Sequence, residues 1–286
     1  MDGKVLDSIR RASREKSHPD GTRYRTISAQ AIASLAKRQH MPGREMEIAA
    51  LKDRIIPERY ARNLHSLTPA DQVKLLEAHV AVVGLGGLGG TVAEALARIG
   101  VGTLTLIDGD GFDESNLNRQ ILSTEQNLST SKAETAARRI GAVNSSVSVS
   151  AQAQKMKNDN AFMLLQGAKV AVDCLDTISA RFLLESASKR LGIPLVSAAV
   201  GGHAGQLTTI FPDDKGFERI YGSQESAAID TGAEARLGNL SFTVFTVASL
   251  EAAEVVKVLL DAPSNLRNRL LIIDLQDYTF ERIQLK

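Results

Sequence analysis

His-Val-Ala-Val-Val-Gly-Leu-Gly-Gly-Leu-Gly, residues 79–89, is an apolar run that ends in a glycine-rich turn. An amphipathic segment follows, with Leu88, Val92, Leu96 and Ile99 recurring at helical spacing on one face. A second apolar run, Thr103–Ile107, ends in Asp108. Strand, glycine turn, helix, strand, acid is the order of a nucleotide site. Gly84 permits the tight turn, Gly86 lets backbone approach a phosphate, and Gly89 lets the helix pack close to the strand. The first helical turn offers unpaired backbone N–H groups to an anion. Asp108 follows Gly84 by 24 residues, near the separation at which an acid bonds a ribose.

From His79 onward strands and helices alternate, which predicts an α/β, Rossmann-like fold: a mostly parallel sheet with helices on both faces. Pro194–Val200 and Gly205–Phe211 read as strands and Ser241–Leu260 as a helix. Arg269–Gln276 and Tyr278–Leu285 read as two short strands, giving a mixed, antiparallel C-terminal part. Upstream, Ile27–Gln39, Arg44–Asp53 and Pro69–Ala78 read as helices, punctuated by Pro42-Gly43 and Pro57. Thr68 is the cap of the third, and Pro69 suits its first position. The first twenty or so residues are polar and expected to be loose. The expected division is a helical N-terminal extension over 1–57 and a nucleotide-binding unit over 58–286, with halves at 58–190 and 191–286.

The chain has 286 residues, 43% of them hydrophobic, a formal net charge of +1 and one cysteine. So balanced a charge favours neither nucleic acid nor membrane. A single cysteine excludes an internal disulfide and any zinc site built on cysteines. Met1–Pro19 contains no apolar signal core, and no apolar run approaches the ~18 residues of a membrane span. A cytoplasmic protein is the expectation. Residues 1–62 hold 14 Lys+Arg against 8 Asp+Glu, and Ala29–Leu51 has the outline of a helix-turn-helix. Without a basic stripe over the whole chain, nucleic acid is not the expected partner. Packing on the core or a dimer, or recognition of a peptide or carrier, fits the extension better.

The stretch Asp108–Gln120 is denser in polar groups than a dehydrogenase needs. It carries Asp108, Asp110, Asp113, Glu114, Ser115, Asn116, Asn118, Arg119 and Gln120. Arginine matches phosphate oxygens with paired donors. Lys132 opens a helical stretch, and Asp173-Cys174-Leu175-Asp176 closes an apolar strand.

In this order the motifs resemble the MoeB/ThiF/HesA family, bacterial relatives of ubiquitin-activating enzymes. The resemblance runs from about Arg59 to Leu260. It is carried by Arg59-Tyr60-Ala61-Arg62-Asn63, Gly84–Gly89, Gly100–Thr105, Asp108-Gly109-Asp110, Ser115–Gln120, Lys132-Ala133-Glu134 and Asp173–Asp176, and extended by Gly205-Gln206 and Ser249–Ala252. It implies ATP- and Mg²⁺-dependent adenylation of the Gly-Gly carboxylate of a small ubiquitin-like sulfur carrier, by a homodimer. The cofactor-binding positions it implies are Gly84, Gly86, Gly87, Gly89, Asp108, Asp110, Ser115, Asn116, Leu117, Asn118, Arg119, Lys132, Asp176 and Thr177. Within that set Asp108 matches the ribose-binding acid, Asn116 and Arg119 a phosphate-contacting pair, Lys132 a phosphate-binding lysine and Asp176 the magnesium-holding acid. Arg62 matches an arginine that reaches into the partner's ATP site.

The chain also departs from the family. Most relatives carry two Cys-x-x-Cys pairs that bind structural zinc, and a cysteine on a mobile loop. Here Phe211–Gly238 and the C-terminus lack the former, and Ile229–Glu234 stands where the latter would fall. No zinc is expected, and no stable enzyme thioester. Cys174 reads as a packed small residue. Asn63 replaces a usual Gln, and Thr177 a usual Asn. Three other readings stay open: adenylation of a ribosomal peptide with the extension as clamp, an NAD-dependent oxidoreductase, and a binding protein that kept the fold.

Overall fold

A computed structural model describes residues 3–17, 19–222 and 234–285. The chain begins with helix α1 (Gly3–Ala12), strands β1 (Arg14–Ser17) and β2 (Arg23–Ile27), helices α2 (Ala29–Gln39) and α3 (Gly43–Lys52), and strand β3 (Ile55–Pro57). β1 pairs antiparallel with β2 and β2 parallel with β3, in a three-stranded sheet of order β1-β2-β3. Val5, Ile9, Ile27, Ile32, Met46 and Ile55 form the core of this unit.

Two expectations are corrected here. Residues 3–12 are not loose: Val5 and Ile9, four apart on α1, are buried, Ile9 completely. A polar average concealed a one-sided apolar stripe. Nor is the extension all helical. β1, Arg-Glu-Lys-Ser, carries no apolar alternation, so its pairing could not be read from pattern.

Helix α4 (Pro69–Leu76) starts at a reciprocal cap: Asp71 N–H donates to Thr68 Oγ1 at 3.1 Å, and Thr68 N–H to Asp71 Oδ2 at 3.0 Å. Next come β4 (His79–Val83), α5 (Gly87–Ile99), β5 (Thr103–Ile107), α6 (Lys132–Val143), β6 (Ser148–Gln152), α7 (Ala161–Leu164), β7 (Val170–Asp173), α8 (Ile178–Leu191) and β8 (Leu195–Gly201). β9 (Ala204–Ile210), α9 (Glu218–Tyr221), α10 (Glu234–Leu237), α11 (Ser241–Leu259), β10 (Arg269–Asp274) and β11 (Thr279–Gln284) complete it. The main sheet has eight strands in the order β11-β10-β9-β8-β7-β4-β5-β6. The pairs β6-β5, β5-β4, β4-β7 and β7-β8 are parallel; β8-β9, β9-β10 and β10-β11 are antiparallel. This is the doubly covered α/β sheet with an antiparallel flank that the motifs predict.

Side chains alternate across β4. Val80 and Val82 join the core under α5, α6 and α11; Ala81 and Val83 join the one under α8. A buried polar knot ties the N-terminal unit to this body. Tyr60 Oη donates to Glu47 Oε2 of α3 at 3.2 Å, and Asn144 Nδ2 donates to Tyr60 Oη at 3.0 Å and to Ala97 O of α5 at 2.9 Å. Arg59 pairs with Glu47 at 3.3 Å and donates to Asn144 Oδ1. The Arg59-Tyr60 motif is therefore a seam between the two units.

Candidate nucleotide site

The glycine turn is shaped by contacts that exclude side chains. Gly84 has φ +86°, and a β-carbon there would stand 2.5 Å from Cys174 O. One on Gly89 would collide with Gly84 O, so this glycine lies behind the turn and sets the helix-to-strand distance. One on Gly87 would stand 2.8 Å from Val244 Cγ1 of α11. No side chain caps the start of α5 at Gly86. Its first N–H groups are left for another acceptor.

Asp108, at the end of β5, closes the turn from the side. Its Oδ2 accepts from Leu85 N at 2.7 Å and its Oδ1 from Asp110 N at 2.8 Å. Each oxygen keeps acceptor capacity, since a carboxylate oxygen takes about two hydrogen bonds.

A cavity of about 440 Å³ opens over this turn. Of the sequence candidates, Gly84, Gly86, Gly87, Asp108, Asp110, Arg119, Lys132, Asp176 and Thr177 line it. Lys132 is largely buried at the start of α6, its N–H bonded to Asp110 O at 3.0 Å. Asp176 is exposed at the end of the loop after β7.

Ser115, Asn116, Leu117 and Asn118 are not among the lining residues. The buried Asn116 accepts from Asp113 N at 3.1 Å, closing a short capped turn. Asn118 donates to Asn239 O at 3.1 Å, and its Oδ1 accepts from Arg119 Nη1 at 2.8 Å. Arg119 Nη1 also donates to Ser115 O at 2.9 Å. These residues brace Arg119 from behind, because the turn directs their polar atoms into its own backbone. Arg62 is exposed and outside the lining of its own chain's cavity.

Gln120, named within the polar stretch but given no role, also lines the cavity, and sequence reasoning missed Lys155, Met156, Arg181, Asn239 and Val244. Arg181 on α8 is the most buried charged residue among them. Its Nη1 donates to Asp173 Oδ2 at 2.8 Å and Ala198 O at 2.9 Å, and its Nη2 to Leu175 O. Ser197 Oγ also donates to Asp173 Oδ2, at 2.6 Å. The Asp173–Arg181 pair is nearly solvent-free and fixes the backbone just before Asp176. The spacing from strand end to second helical turn was the only trace of it in the sequence. Beneath lies Cys174, whose Sγ donates to Glu251 Oε2 of α11 at 3.6 Å. Burial pushes both groups well above their ordinary pKa, with Glu251 acting on Cys174 and Asp173 on both.

The donor set fits a nucleoside triphosphate and a hard divalent cation. An uncapped helix start, a side-chain-free turn and two cations suit phosphates; the carboxylate at 176 suits a metal that prefers oxygen ligands. Among the described residues no helix is long and apolar enough to cross a membrane.

Fold and site define a Rossmann-like nucleotide-binding protein. More narrowly, the chain belongs to the ThiF family, whose sequence profile matches residues 60–286. It is 35% identical over 229 residues to the SAMP-activating enzyme E1 of Haloferax volcanii, covering 79% of this chain and 84% of that one. It is 34% identical over 240 residues to the mouse (Mus musculus) adenylyltransferase and sulfurtransferase MOCS3, covering 83% of this chain but 52% of the relative. The chain thus spans about half the length of its MOCS3 relatives. The fold is similar to the crystal structure of PaaA, with TM-score 0.66 and 20% identity over 96% of this chain and 99% of that one. It is similar also to E. coli MccB solved with ATP, with TM-score 0.66 and 21% identity over 91% and 80%.

Proposed function

We propose that this ATP-dependent adenylyltransferase activates the C-terminal Gly-Gly carboxylate of a small ubiquitin-like sulfur carrier. The observation that carries the reading is the convergence of Arg119, Lys132 and Asp176 on one cavity with the uncapped start of α5. Two anions must meet for a carboxylate to attack the α-phosphorus of ATP. The helix start and the cations at 119 and 132 offset that repulsion and stabilise charge gathering on the leaving pyrophosphate. Asp176 would hold Mg²⁺, which supplies Lewis-acid screening of the phosphates. Asp108 takes the ribose. The carboxylate oxygen bonds to the α-phosphorus, the bond to the bridging oxygen of pyrophosphate breaks, and an acyl-adenylate is left. The chain then contributes positioning and electrostatics and no covalent step.

Family membership supports this reading over a nicotinamide oxidoreductase or a non-catalytic binder, as do the names of relatives that activate SAMP or combine adenylyl and sulfur transfer. The position expected to lack a loop cysteine falls, up to its last residue, outside the described residues.

A second reading, a ribosomal peptide as substrate, draws on one observation. The PaaA likeness covers 96% of this chain and that to MccB with N-formylated MccA covers 99%, so both run into the N-terminal unit ahead of the family match at residue 60.

ATP–pyrophosphate exchange tests both. Exchange triggered by a Gly-Gly-ending carrier, and lost at least a hundredfold in Asp176→Asn on the scale of removing a key electrostatic group, is the expected result. Exchange with a peptide alone would favour the second reading; carrier-independent ATP binding with no exchange would defeat both.

A further inference from the structure

Lys155 belongs to none of the motifs that carry the family resemblance, yet it lines the nucleotide cavity. It follows β6 in a loop that other residues hold in place. Asn160 Nδ2 donates to Lys155 O at 3.0 Å, and Asn160 Oδ1 accepts from Lys157 N at 2.7 Å. On the other side Gly109 presses on it: a β-carbon there would stand 2.5 Å from Lys155 Cγ and 2.6 Å from its N. The stem of Lys155 is therefore packed on the backbone between Asp108 and Asp110. Its ammonium ends 3.1 Å from Asp110 Oδ1, with side chains 70% and 54% exposed.

The charge on the wall gives this placement its meaning. Arg181 is neutralised by Asp173 behind the wall. The remaining charged lining residues are Asp108, Asp110 and Asp176 against Arg119, Lys132 and Lys155. Without Lys155 the balance is two cations against three carboxylates, an unfavourable wall for a polyanion. Asp110, helped by Asp108 and Asp176, raises the pKa of the ammonium, so it stays charged across the neutral range. An exposed ion pair adds little stability, so Lys155 can leave Asp110 at little cost when a stronger anion arrives.

We infer that Lys155 is a third nucleotide-binding cation, parked on Asp110 in the free protein and turned to the polyphosphate when a nucleoside triphosphate enters. The inference rests on the nucleotide reading above. It assigns Asp110 the part of a parking partner, whose removal frees the ammonium and lightens the negative wall.

Calorimetric titration of the full chain with ATP and excess Mg²⁺ tests it, with adenosine as the uncharged control. Lys155→Met weakens ATP binding about fivefold, the scale of one unit-charge contact in water, and leaves adenosine binding unchanged. Lys155→Arg restores ATP binding, and Asp110→Asn tightens it. The difference between Lys155→Met and the unaltered chain shrinks as salt rises. Unchanged ATP affinity in Lys155→Met overturns the inference. So does a matching loss in Asp110→Asn, which would mean that the pair serves only to shape the loop. So does equal loss of adenosine binding. Should Lys155→Met not fold, the tightening required of Asp110→Asn, beside unaltered affinity in Lys155→Arg, still decides. An unaltered chain that binds no ATP removes the nucleotide reading itself, a result distinct from each of these.

Discussion

Cys174 directly follows β7, with a thiol that contacts Glu251. A raised thiol pKa means a protonated sulfur at neutral pH, and the thiolate is the reactive form. Iodoacetamide should therefore modify the native protein at pH 7.5 at least tenfold more slowly than the urea-unfolded chain, read by mass spectrometry. Comparable rates would contradict the raised pKa of this thiol. Glu251 makes a linked prediction about stability. Its folded-state pKa lies above its unfolded value, so the folded protein holds that proton more tightly. The stability linked to it is present below the ordinary carboxylate range and is lost as pH rises. Glu251→Gln should flatten the fall of melting temperature as pH rises above the ordinary carboxylate range. An unaltered slope would mean that Glu251 does not change its proton affinity on folding.

At the scale of elements, the caps and the small N-terminal core can be tested separately. Thr68→Ala removes one side of the reciprocal cap on α4 and should cost about 1 kcal/mol in denaturant unfolding. Ile9→Ala empties a fully buried site in the N-terminal unit and should cost about 2–5 kcal/mol, with faster hydrogen exchange over residues 3–12. Unchanged exchange there would mean that α1 does not depend on its buried face. β4, the glycine turn, α5 and β5 were legible in the sequence because period, glycine and terminal acid agree. The β8, β9, β10 and β11 strands were legible because their apolar runs are bounded by turns. β1 and α1 were not, because a four-residue polar edge strand and a two-residue apolar stripe leave almost no pattern. The site divided in the same way. Motif residues such as Gly84, Gly86, Asp108 and Arg119 line the cavity and Ser115–Asn118 do not, whereas Lys155 and Arg181 reach it from segments that only folding brings together.

For the molecule as a whole, the exposed Arg62 outside its own cavity bears on assembly. If it serves a second subunit, neither Arg62→Ala nor Asp176→Ala should be active alone, whereas a mixture should recover part of the exchange activity through hybrid dimers. No recovery, with hybrids shown to form, would end the trans role. A second whole-molecule feature joins the segment after β9 to the entry of β10. Arg267 donates to Asp214 through Nε at 3.0 Å and Nη2 at 2.9 Å, and to Asp213 at 2.6 Å. Its guanidinium stands 4.7 Å from the centre of the Phe211 ring. Arginine forks of this kind combine paired donors with stacking, and this one fastens the terminal hairpin to the sheet.

That fork spans the part of the chain where the family resemblance would place a zinc clasp built on cysteines, which a chain with one cysteine cannot form. A clasp made of side chains arrives with the polypeptide and waits for no delivery. It has no thiolates to be oxidised and no ion to be stripped by a competitor. Expression in zinc-starved or peroxide-stressed cells should accordingly yield as much folded protein as in replete ones, while Arg267→Gln should loosen the hairpin under either condition.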